Sequence, residues 1–362
     1  MRIGIVGLPN AGKSSLFNAL TRAGAEVATY PFTTVEANVA VVPVPDERLD
    51  RVAETVGASP IVYETIAFHD IAGLVRGAHT GEGLGNQFLA NIRETDAILH
   101  VVRAHEDARV PHPEGSVDPE RDIETVESEL LYADLEQAER RLERAARQAK
   151  SHERALVAEE QWLRELIEAL GAGRPARSVP PPEDAPDAMH LLQPLTAKPV
   201  LYVANVDEGA PAEVPEAIAA RASAAEAGVV AVSARLEAEL AELADDEAAS
   251  MREELGTPES GLARVVRAAF DLLGLITFFT AHQGAEARAR AIPAGTTARD
   301  AAGEVHTDMK TGFVRAEVIA WDELVDAGGY AVARERALLR TEGRDYVVRD
   351  GEVVTIKFTP PS

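Results

Sequence analysis

Cysteine is absent from this chain of 362 residues, and aromatic residues make up only 5% of it. The lack of cysteine excludes disulfide bonds, redox thiols, a nucleophilic cysteine and zinc sites with thiolate ligands. Basic residues are also scarce, since 36 Lys and Arg stand against 60 Asp and Glu, a formal charge of −24. A surface that coats nucleic acid needs clustered basic residues, so we expect any contact with RNA to be local.

Long apolar runs are missing as well. No segment reaches the roughly 18 uninterrupted apolar residues that a membrane-spanning helix needs. Residues 1–6 read MRIGIV and enter a strand at once, without the charged, apolar and small segments of a secretion signal. We therefore expect a soluble, cytoplasmic protein, with chain enough for two or three domains.

Short runs rich in Val and Ile alternate with helical segments, a pattern typical of an α/β fold. Such alternation predicts a mostly parallel sheet with helices on both faces. The predicted strands are residues 3–6, 37–42, 65–68, 97–102, 200–204 and 229–232.

A helical segment interrupts this α/β pattern. Leu and Ala recur in steps of three and four from residue 131 to 149, and Leu recurs again from 156 to 170. Residues 171–182 then read GAGRPARSVPPP, which ends any helix. We interpret the segment as an inserted hairpin of coiled helices; a single long surface helix is the alternative.

The sequence after about residue 275 is rich in β-strand signals. Residues 276–281 and 285–292 are predicted to pair, followed by a helix at 297–305 and a strand at 314–320. Residues 345–348 and 352–358 flank Arg-Asp-Gly, which predicts a hairpin. We expect a small α+β module here.

A phosphate-binding motif opens the chain. Residues 7–14 read GLPNAGKS and fit G-x-x-x-x-G-K-[ST], between a predicted strand and a helix predicted at 15–20. Its glycines let backbone N–H groups turn toward a phosphate at a helix N-terminus. We expect Lys13 to reach the β- and γ-phosphates and the Ser14 hydroxyl to bind Mg²⁺.

Further segments are predicted to supply the metal ligands and the switch loops of such a site. Residues 70–73 read DIAG, where Asp70 would hold Mg²⁺ through water and the Gly73 N–H would contact the γ-phosphate. In the preceding segment we favour Thr34 over Thr33 as a direct metal ligand. Residues 81–86 read GEGLGN and are predicted to be a mobile second switch, with a plain loop as the alternative.

The base-recognition segment departs from the GTPase pattern. GTPases carry Asn-Lys-x-Asp after this strand, whereas this chain has Asn205, Val206 and, in the Asp position, Glu208. That Asp accepts hydrogen bonds from guanine N1–H and its 2-amino group, so its loss removes the main reason to prefer GTP. Asn205 stays suited to a hydrogen bond with a base edge, and Ser233 and Ala234 would supply backbone contacts.

The residue that orients the attacking water is also replaced. Leu74 stands where Ras-like GTPases carry Gln, and leucine neither donates nor accepts a hydrogen bond. Hydrolysis must use another group or be slow, and the candidates are His69, His79 and His112. Asn10 is a candidate ligand for a monovalent cation beside the phosphates.

Together these segments resemble the YchF-type, Obg-like ATPases, a family of translation-factor-related P-loop NTPases. The similarity extends over nearly the whole chain, through GLPNAGKS, YPFTT, DIAGL and NVDE to GLITFFT, HTDMKTGF and DYVVRDG in the C-terminal part. The resemblance implies a discontinuous G domain (1–121 and 196–274), a coiled-coil arm (122–195) and a β-grasp TGS-like domain (275–362).

The same resemblance implies a function. It implies ATP preferred over GTP, Mg²⁺ dependence, stimulation by K⁺ and association with ribosomes. It also implies a catalytic role for His112, beside Lys13. The residues expected to bind nucleotide are Asn10, Ala11, Gly12, Lys13, Ser14, Ser15, Gly73, Asn205, Val206, Glu208, Ser233 and Ala234.

Alternatives remain at this stage. A GTPase of ribosome assembly could use Glu208 in place of Asp, and a nucleotide-gated adaptor could hydrolyse only incidentally. Basic residues recur at helical spacing along the arm and form either an RNA-facing stripe or a solvated face paired with glutamates. They are Arg140, Arg144, Arg147, Lys150 and Arg154.

Overall fold

The structure, a computed structural model, describes residues 1–27, 38–71, 84–149, 153–209, 212–257 and 259–360. The chain divides into two compact units. The first is Met1–Val42 with Ala67–Leu273, and the second is Pro43–Ile66 with Gly274–Ser362. Within the described residues, no helix has the length and apolar character needed to cross a membrane.

Strands and helices are numbered along the chain. The strands are β1 Arg2–Val6, β2 Val39–Val44, β3 Ile61–Val62, β4 Glu64–Asp70, β5 Ala97–Arg103, β6 Val200–Asn205, β7 Gly228–Val232, β8 Leu275–Ala281, β9 Ala287–Pro293, β10 Phe313–Ala320, β11 Arg340–Glu342 and β12 Glu352–Phe358. The helices are α1 Lys13–Val27, α2 Glu47–Val56, α3 Leu84–Arg93, α4 Pro119–Gln148, α5 Arg154–Gly171, α6 Ala188–Leu192, α7 Glu216–Ala224, α8 Ala234–Leu240, α9 Asp245–Glu254, α10 Gly261–Leu272, α11 Ala298–Val305, α12 Thr307–Thr311, α13 Trp321–Asp326 and α14 Tyr330–Glu335. Short 3₁₀ turns lie at Ala176–Ser178 and Leu195–Ala197.

The first sheet has the strand order β2-β4-β1-β5-β6-β7. β1 pairs in parallel with β4 and β5, and β6 pairs in parallel with β5 and β7. Every residue of β5 is buried, as an apolar central strand covered on both faces should be. The predicted α/β fold with a mostly parallel sheet is confirmed, and the carboxyl ends of its parallel strands, β1 and β4 to β7, form one edge.

The described part of the inserted segment contains the two long helices α4 and α5 and the short α6, so the alternative of one long helix is wrong. Asp118 caps α4, because its carboxylate accepts a hydrogen bond from the Arg121 N–H at 3.2 Å. α4 and α5 pack through a buried cluster that includes Ala138, Ala145 and Leu163. The packing residues follow the predicted steps of three and four.

The second unit has a sheet of order β11-β10-β12-β8-β9-β3. β8 pairs with β9 and β10 with β12 in antiparallel register, whereas β12 and β8 are parallel. Residues 43–66 complete this unit, because β3 pairs with β9 and α2 covers the sheet. Leu49 and Val52 of α2 are fully buried in one cluster with Phe279 and Val353.

The predicted hairpin of residues 345–348 and 352–358 is wrong. β12 pairs with β10 and β8, while residues 345–348 form no strand and Val347 makes an isolated bridge to Thr297. The turn between them is bonded to β8 instead. Asp350 Oδ1 accepts from the Thr277 N–H at 2.8 Å, and the Gly351 N–H donates to the Thr277 carbonyl at 2.8 Å.

Candidate nucleotide-binding site

The phosphate loop joins the end of β1 to the start of α1. Gly7 and Gly12 have φ values of +151° and +102°, and Asn10 has φ +64°. A Cβ on Gly7 would lie 2.4 Å from the Val101 carbonyl oxygen, and one on Gly12 would lie 2.1 Å from Asn205 Nδ2. Both positions therefore require glycine, for conformation and for space.

Lys13 is buried at the centre of this loop. Its side chain is 7% exposed, and its Nζ donates hydrogen bonds to the carbonyls of Gly7 at 3.0 Å and Leu8 at 2.8 Å. Burial lowers the pKa of Lys13 from 10.5 to about 8, and the nearby Asp70 carboxylate opposes this change. The loop thus holds a desolvated cation that an anionic phosphate would stabilise in its charged form.

The predicted metal ligands include an exposed hydroxyl and a half-buried carboxylate. Asp70 ends β4 as the register partner of Ile5, beside the phosphate loop, and Ser14 is exposed in the first turn of α1. Burial raises the pKa of Asp70, and Lys13 opposes this shift. Such oxygen donors fit Mg²⁺ when phosphates and water complete the shell.

Thr34 and Gly73, which are predicted to contact the metal and the γ-phosphate, lie outside the described residues, and so do Leu74 and the candidate His79. Among the described residues, no cluster of three or more His, Cys, Asp or Glu is arranged to hold a metal. Any Mg²⁺ at this site would therefore depend on phosphate oxygens as well as on Ser14 and Asp70.

Asn205 bonds two loops of the site together. Its side chain is buried, its Nδ2 donates to the Ala11 carbonyl at 2.9 Å, and its Oδ1 accepts from the Ala234 N–H at 3.0 Å. The amide therefore bridges the phosphate loop and the start of α8. Sequence reasoning missed this bridge, and direct contact of Asn205 with a base stays a prediction.

The neighbouring predicted residues are also engaged with the protein. Ser233 caps α8 by accepting from the Leu236 N–H, and Ala234 is almost fully buried. The Val206 side chain is 5% exposed and packs in a cluster with Tyr202, while its N–H donates to a β7 carbonyl. Contact of Val206 with a nucleotide stays a prediction.

Glu208 forms an ion pair with Arg235. The distance between Glu208 Oε1 and Arg235 Nε is 2.9 Å, and the two side chains are 42% and 56% exposed. Arg235 also pairs with Glu239 at 3.1 Å, one helical turn further along α8. Sequence reasoning assigned no role to the Arg235 side chain, although it directly follows Ser233 and Ala234.

His112 lies near the phosphate loop but is held by another residue. Asn10 Nδ2 donates to the Pro111 carbonyl at 3.0 Å, which connects the two loops. The His112 ring accepts from the Glu114 N–H at Nδ1, at 3.2 Å, so Nε2 carries a proton and donates to Asp122 Oδ2 at 2.8 Å. The side chains of His112 and Asp122 are each only 5% exposed. Sequence reasoning did not identify Asp122.

Comparisons with known proteins agree with this geometry. A family model described as a 50S ribosome-binding GTPase matches residues 2–146, and a model for the C-terminal part of YchF GTPases, described as of unknown function, matches residues 275–359. A curated relative from Bacillus subtilis (strain 168), "Ribosome-binding ATPase YchF", is 46% identical over 360 residues, covering 98% of each chain. This chain belongs to the YchF family.

Other members of the YchF family support the assignment. A relative of the same name from Escherichia coli O157:H7 is 46% identical over 359 residues, covering 99% of each chain. The solved structure of the Schizosaccharomyces pombe YchF GTPase superposes with a TM-score of 0.87 at 32% identity, covering 99% of this chain and 97% of that one. The names of these YchF proteins differ over the nucleotide, because the Escherichia coli relative is called an ATPase and the fission yeast one a GTPase.

Proposed function

We propose that this chain is a ribosome-associated ATPase that hydrolyses ATP to ADP and phosphate and serves as a nucleotide-dependent switch in translation or stress regulation. One observation carries the proposal. The chain keeps a phosphate loop with a buried Lys13 in a fold shared, over its full length, with proteins named ribosome-binding ATPase. Association with ribosomes supports a cytoplasmic location.

The phosphate end of the proposed site combines the described Lys13 with residues assigned from the sequence alone. Lys13 and the loop amides, including those of Ala11, Gly12 and Ser15, bind the β- and γ-phosphates. Ser14 and Thr34 would hold Mg²⁺ directly, Asp70 would assist through water, and the Gly73 N–H would contact the γ-phosphate. The metal would supply positive charge beside the phosphoryl group that is transferred.

Potassium stimulation would involve Asn10. Its Nδ2 donates to the Pro111 carbonyl, so its Oδ1 is the atom that can coordinate a cation. A monovalent cation there would sit beside the phosphates and supply positive charge without an arginine finger.

The preference for ATP depends on Glu208. In this protein the carboxylate pairs with Arg235 at 2.9 Å, and this pair competes with hydrogen bonds from guanine N1–H and its 2-amino group. Asn205, Val206, Ser233 and Ala234 form the remaining wall for the base. The alternative, a GTPase of ribosome assembly, draws support from the fission yeast relative, which is named a GTPase.

Hydrolysis depends on His112 as the residue that orients water. Its ring is engaged by Asp122 and the Glu114 N–H, so catalysis requires the ring to leave this position. The alternative of a nucleotide-gated adaptor, in which turnover is incidental, draws support from the same engaged state.

The ribosome contact is assigned to the arm (122–195) and the TGS-like domain (275–362). Arg144 and Arg154 are exposed, which supports an RNA-facing stripe. Arg140 pairs with Glu136, which favours a solvated face at that position. Lys150 lies outside the described residues.

The test combines hydrolysis and ribosome binding on one preparation. We expect Mg²⁺-dependent ATP hydrolysis, ATP bound more tightly than GTP, and cosedimentation with ribosomes. Lys13→Ala is the matched control and should abolish nucleotide binding without unfolding the chain. Binding of GTP about tenfold more tightly than ATP, a free-energy difference of about 1.4 kcal/mol, would overturn the ATPase assignment.

A further inference from the structure

A second cavity lies away from the phosphate loop. Its volume is about 200 Å³, and it is bounded by β5, β6, α4, α7 and the loop 173–177, all within the first unit. Its floor includes Ile98 and Val200, register partners near the starts of β5 and β6. The phosphate loop follows the end of β1, which is parallel to β5, so the cavity lies toward the opposite edge of the sheet.

The lining of this cavity is apolar inside and basic at the rim. Leu130, Leu195 and Ile98 are buried and form its apolar part, whereas Arg174 and Arg177 are exposed at the rim. Pockets for small molecules are built in this way, with apolar walls and a few polar groups that orient the ligand.

The charges around the cavity are unbalanced. Arg174, Arg177 and Arg221 face one carboxylate, Glu127, which is already bonded to Arg221. Burial lowers the pKa of His100 in the floor to about 4, so this imidazole is neutral at pH 7. The lining therefore carries a surplus of two positive charges, in a chain whose formal charge is −24.

The rim arginines have no carboxylate of their own. In the described part of the chain, neither Arg174 nor Arg177 forms an ion pair, and the recorded hydrogen bond of Arg177 goes to the neutral Thr196 carbonyl at 3.1 Å. Burial and Glu127 raise the pKa of Tyr202, and the charges of Arg221 and Arg177 oppose this rise.

The size of the space limits its occupant. A water molecule takes up about 30 Å³ in the liquid, so the cavity holds a ligand of roughly seven to ten non-hydrogen atoms. A neighbouring cavity of about 470 Å³ shares Pro175, Arg177 and Val200 with it and continues past Ala197 to Leu272. A longer apolar body can therefore extend beyond Arg177.

We propose that this cavity is a second ligand site, which binds a small organic anion with an apolar body. The anionic head, a carboxylate or a phosphate monoester, pairs with Arg174 and Arg177. The apolar body packs on Leu130, Leu195 and Val200. Guanidinium groups match both heads with two parallel hydrogen bonds, which is why arginine recurs at such sites.

The test uses the full-length protein with excess ADP and Mg²⁺, so that the phosphate loop is filled. Hexanoate and hexyl phosphate probe the two heads, and hexanol is the neutral analogue of the same length. Saturation-transfer NMR titrations should show saturable binding of at least one anion and a markedly weaker signal for hexanol. The tighter of the two anions identifies the head group.

Variants then locate the binding. The double variant R174A/R177A should weaken anion binding about tenfold or more, and Arg144→Ala, an exposed arginine of α4, should leave it unchanged. Ala224→Trp at the mouth should block binding without removing a charge. Thermal melting verifies that each variant folds. Anion binding no tighter than that of hexanol, or equal binding by R174A/R177A and Arg144→Ala, would overturn the proposal.

Discussion

The carboxylate of Asp122 holds the imidazole of His112, with 2.8 Å between Oδ2 and Nε2. Asp122 lies in the first turn of α4, and Arg121 on the same turn donates to its other oxygen at 3.1 Å. His112 thus needs to break a charge-assisted bond before it can act elsewhere.

Removing Asp122 should therefore speed hydrolysis. A hydrogen bond to a charged group contributes about 1.5–3 kcal/mol, so Asp122→Ala is expected to raise kcat for ATP by about tenfold or more where ring release limits turnover. KM for ATP should stay the same. The measurement is steady-state ATPase activity, with Glu124→Gln, an exposed carboxylate of α4, as control.

Two further variants test whether Asp122 restrains His112 or assists it during catalysis. H112A and H112A/D122A should be equally slow, because both lack the ring. A kcat for Asp122→Ala as low as that of His112→Ala would instead show that Asp122 assists the histidine during catalysis.

Nucleotide affinity should fall above about pH 8. Burial lowers the pKa of Lys13 from 10.5 to about 8, so the nucleotide-free protein loses this proton as the pH rises through 8. Bound phosphates favour the charged ammonium, and binding must then take up a proton. The affinity is expected to drop by up to about tenfold per pH unit.

Calorimetry in buffers of different ionisation enthalpy measures this proton uptake directly. Between pH 8 and 9.5 the uptake should approach one proton per nucleotide, and Lys13→Arg, whose guanidinium stays charged, should show none. A pH-independent affinity across this range would contradict the prediction.

The same pKa shift affects stability, with a definite sign. Below about pH 8 Lys13 is charged in both the folded and the unfolded chain, so burying its charge lowers the free energy of unfolding by the full amount. Between about pH 8 and 10.5 the folded chain has lost this proton and the unfolded chain still keeps it, so the destabilisation decreases as the pH rises. This contribution alone makes the nucleotide-free protein more stable toward alkaline pH.

Selectivity between ATP and GTP should respond to Arg235. Removing the guanidinium frees the Glu208 carboxylate to accept hydrogen bonds from guanine. Arg235→Ala should therefore tighten GTP binding and lower the dissociation constant for GTP divided by that for ATP. A half-exposed ion pair is weak, and we expect a change of roughly two- to fivefold. Arg267→Ala, which breaks an exposed pair with Glu259, is the matched control. An unchanged or raised ratio would refute this role.

Asn205 is expected to affect both nucleotides alike. Asn205→Ala leaves the Ala11 carbonyl and the Ala234 N–H without their partner, which should destabilise the fold by about 1–3 kcal/mol and weaken ATP and GTP by the same factor. Asn205→Asp retains the acceptor for Ala234 and should have an intermediate effect. Denaturant melts and titrations with both nucleotides test this, and a loss confined to one nucleotide would indicate direct contact with the base.

Local patterns predicted the elements of the first unit well. β5 and β6 consist mostly of apolar residues, and the glycine spacing of the phosphate loop fits only a few conformations. α4 and α5 were visible because their packing residues follow the helical period. Each of these features is determined by residues close together in the sequence, so a local sequence pattern can predict it.

Long-range partners were not visible in the sequence. Asp122 lies ten residues after His112, and Ala11 lies 194 residues before Asn205, so only folding brings each pair together. The Arg-Asp-Gly turn has a hairpin sequence, yet Asp350 bonds to β8. No local signal assigned β3 to the second sheet, because a two-residue strand has no period.

The interleaved chain of the second unit restricts how such a protein can be shortened or recombined. Residues 43–66 belong to the second unit, although the residues before and after them belong to the first. The chain rejoins the second unit only at residue 274. A truncation at residue 273 would strip the cover from Leu49 and Val52, which are fully buried in it. Gene fusion at a single boundary can therefore neither append nor remove this module, and its exchange would require matched changes at two distant places in the coding sequence.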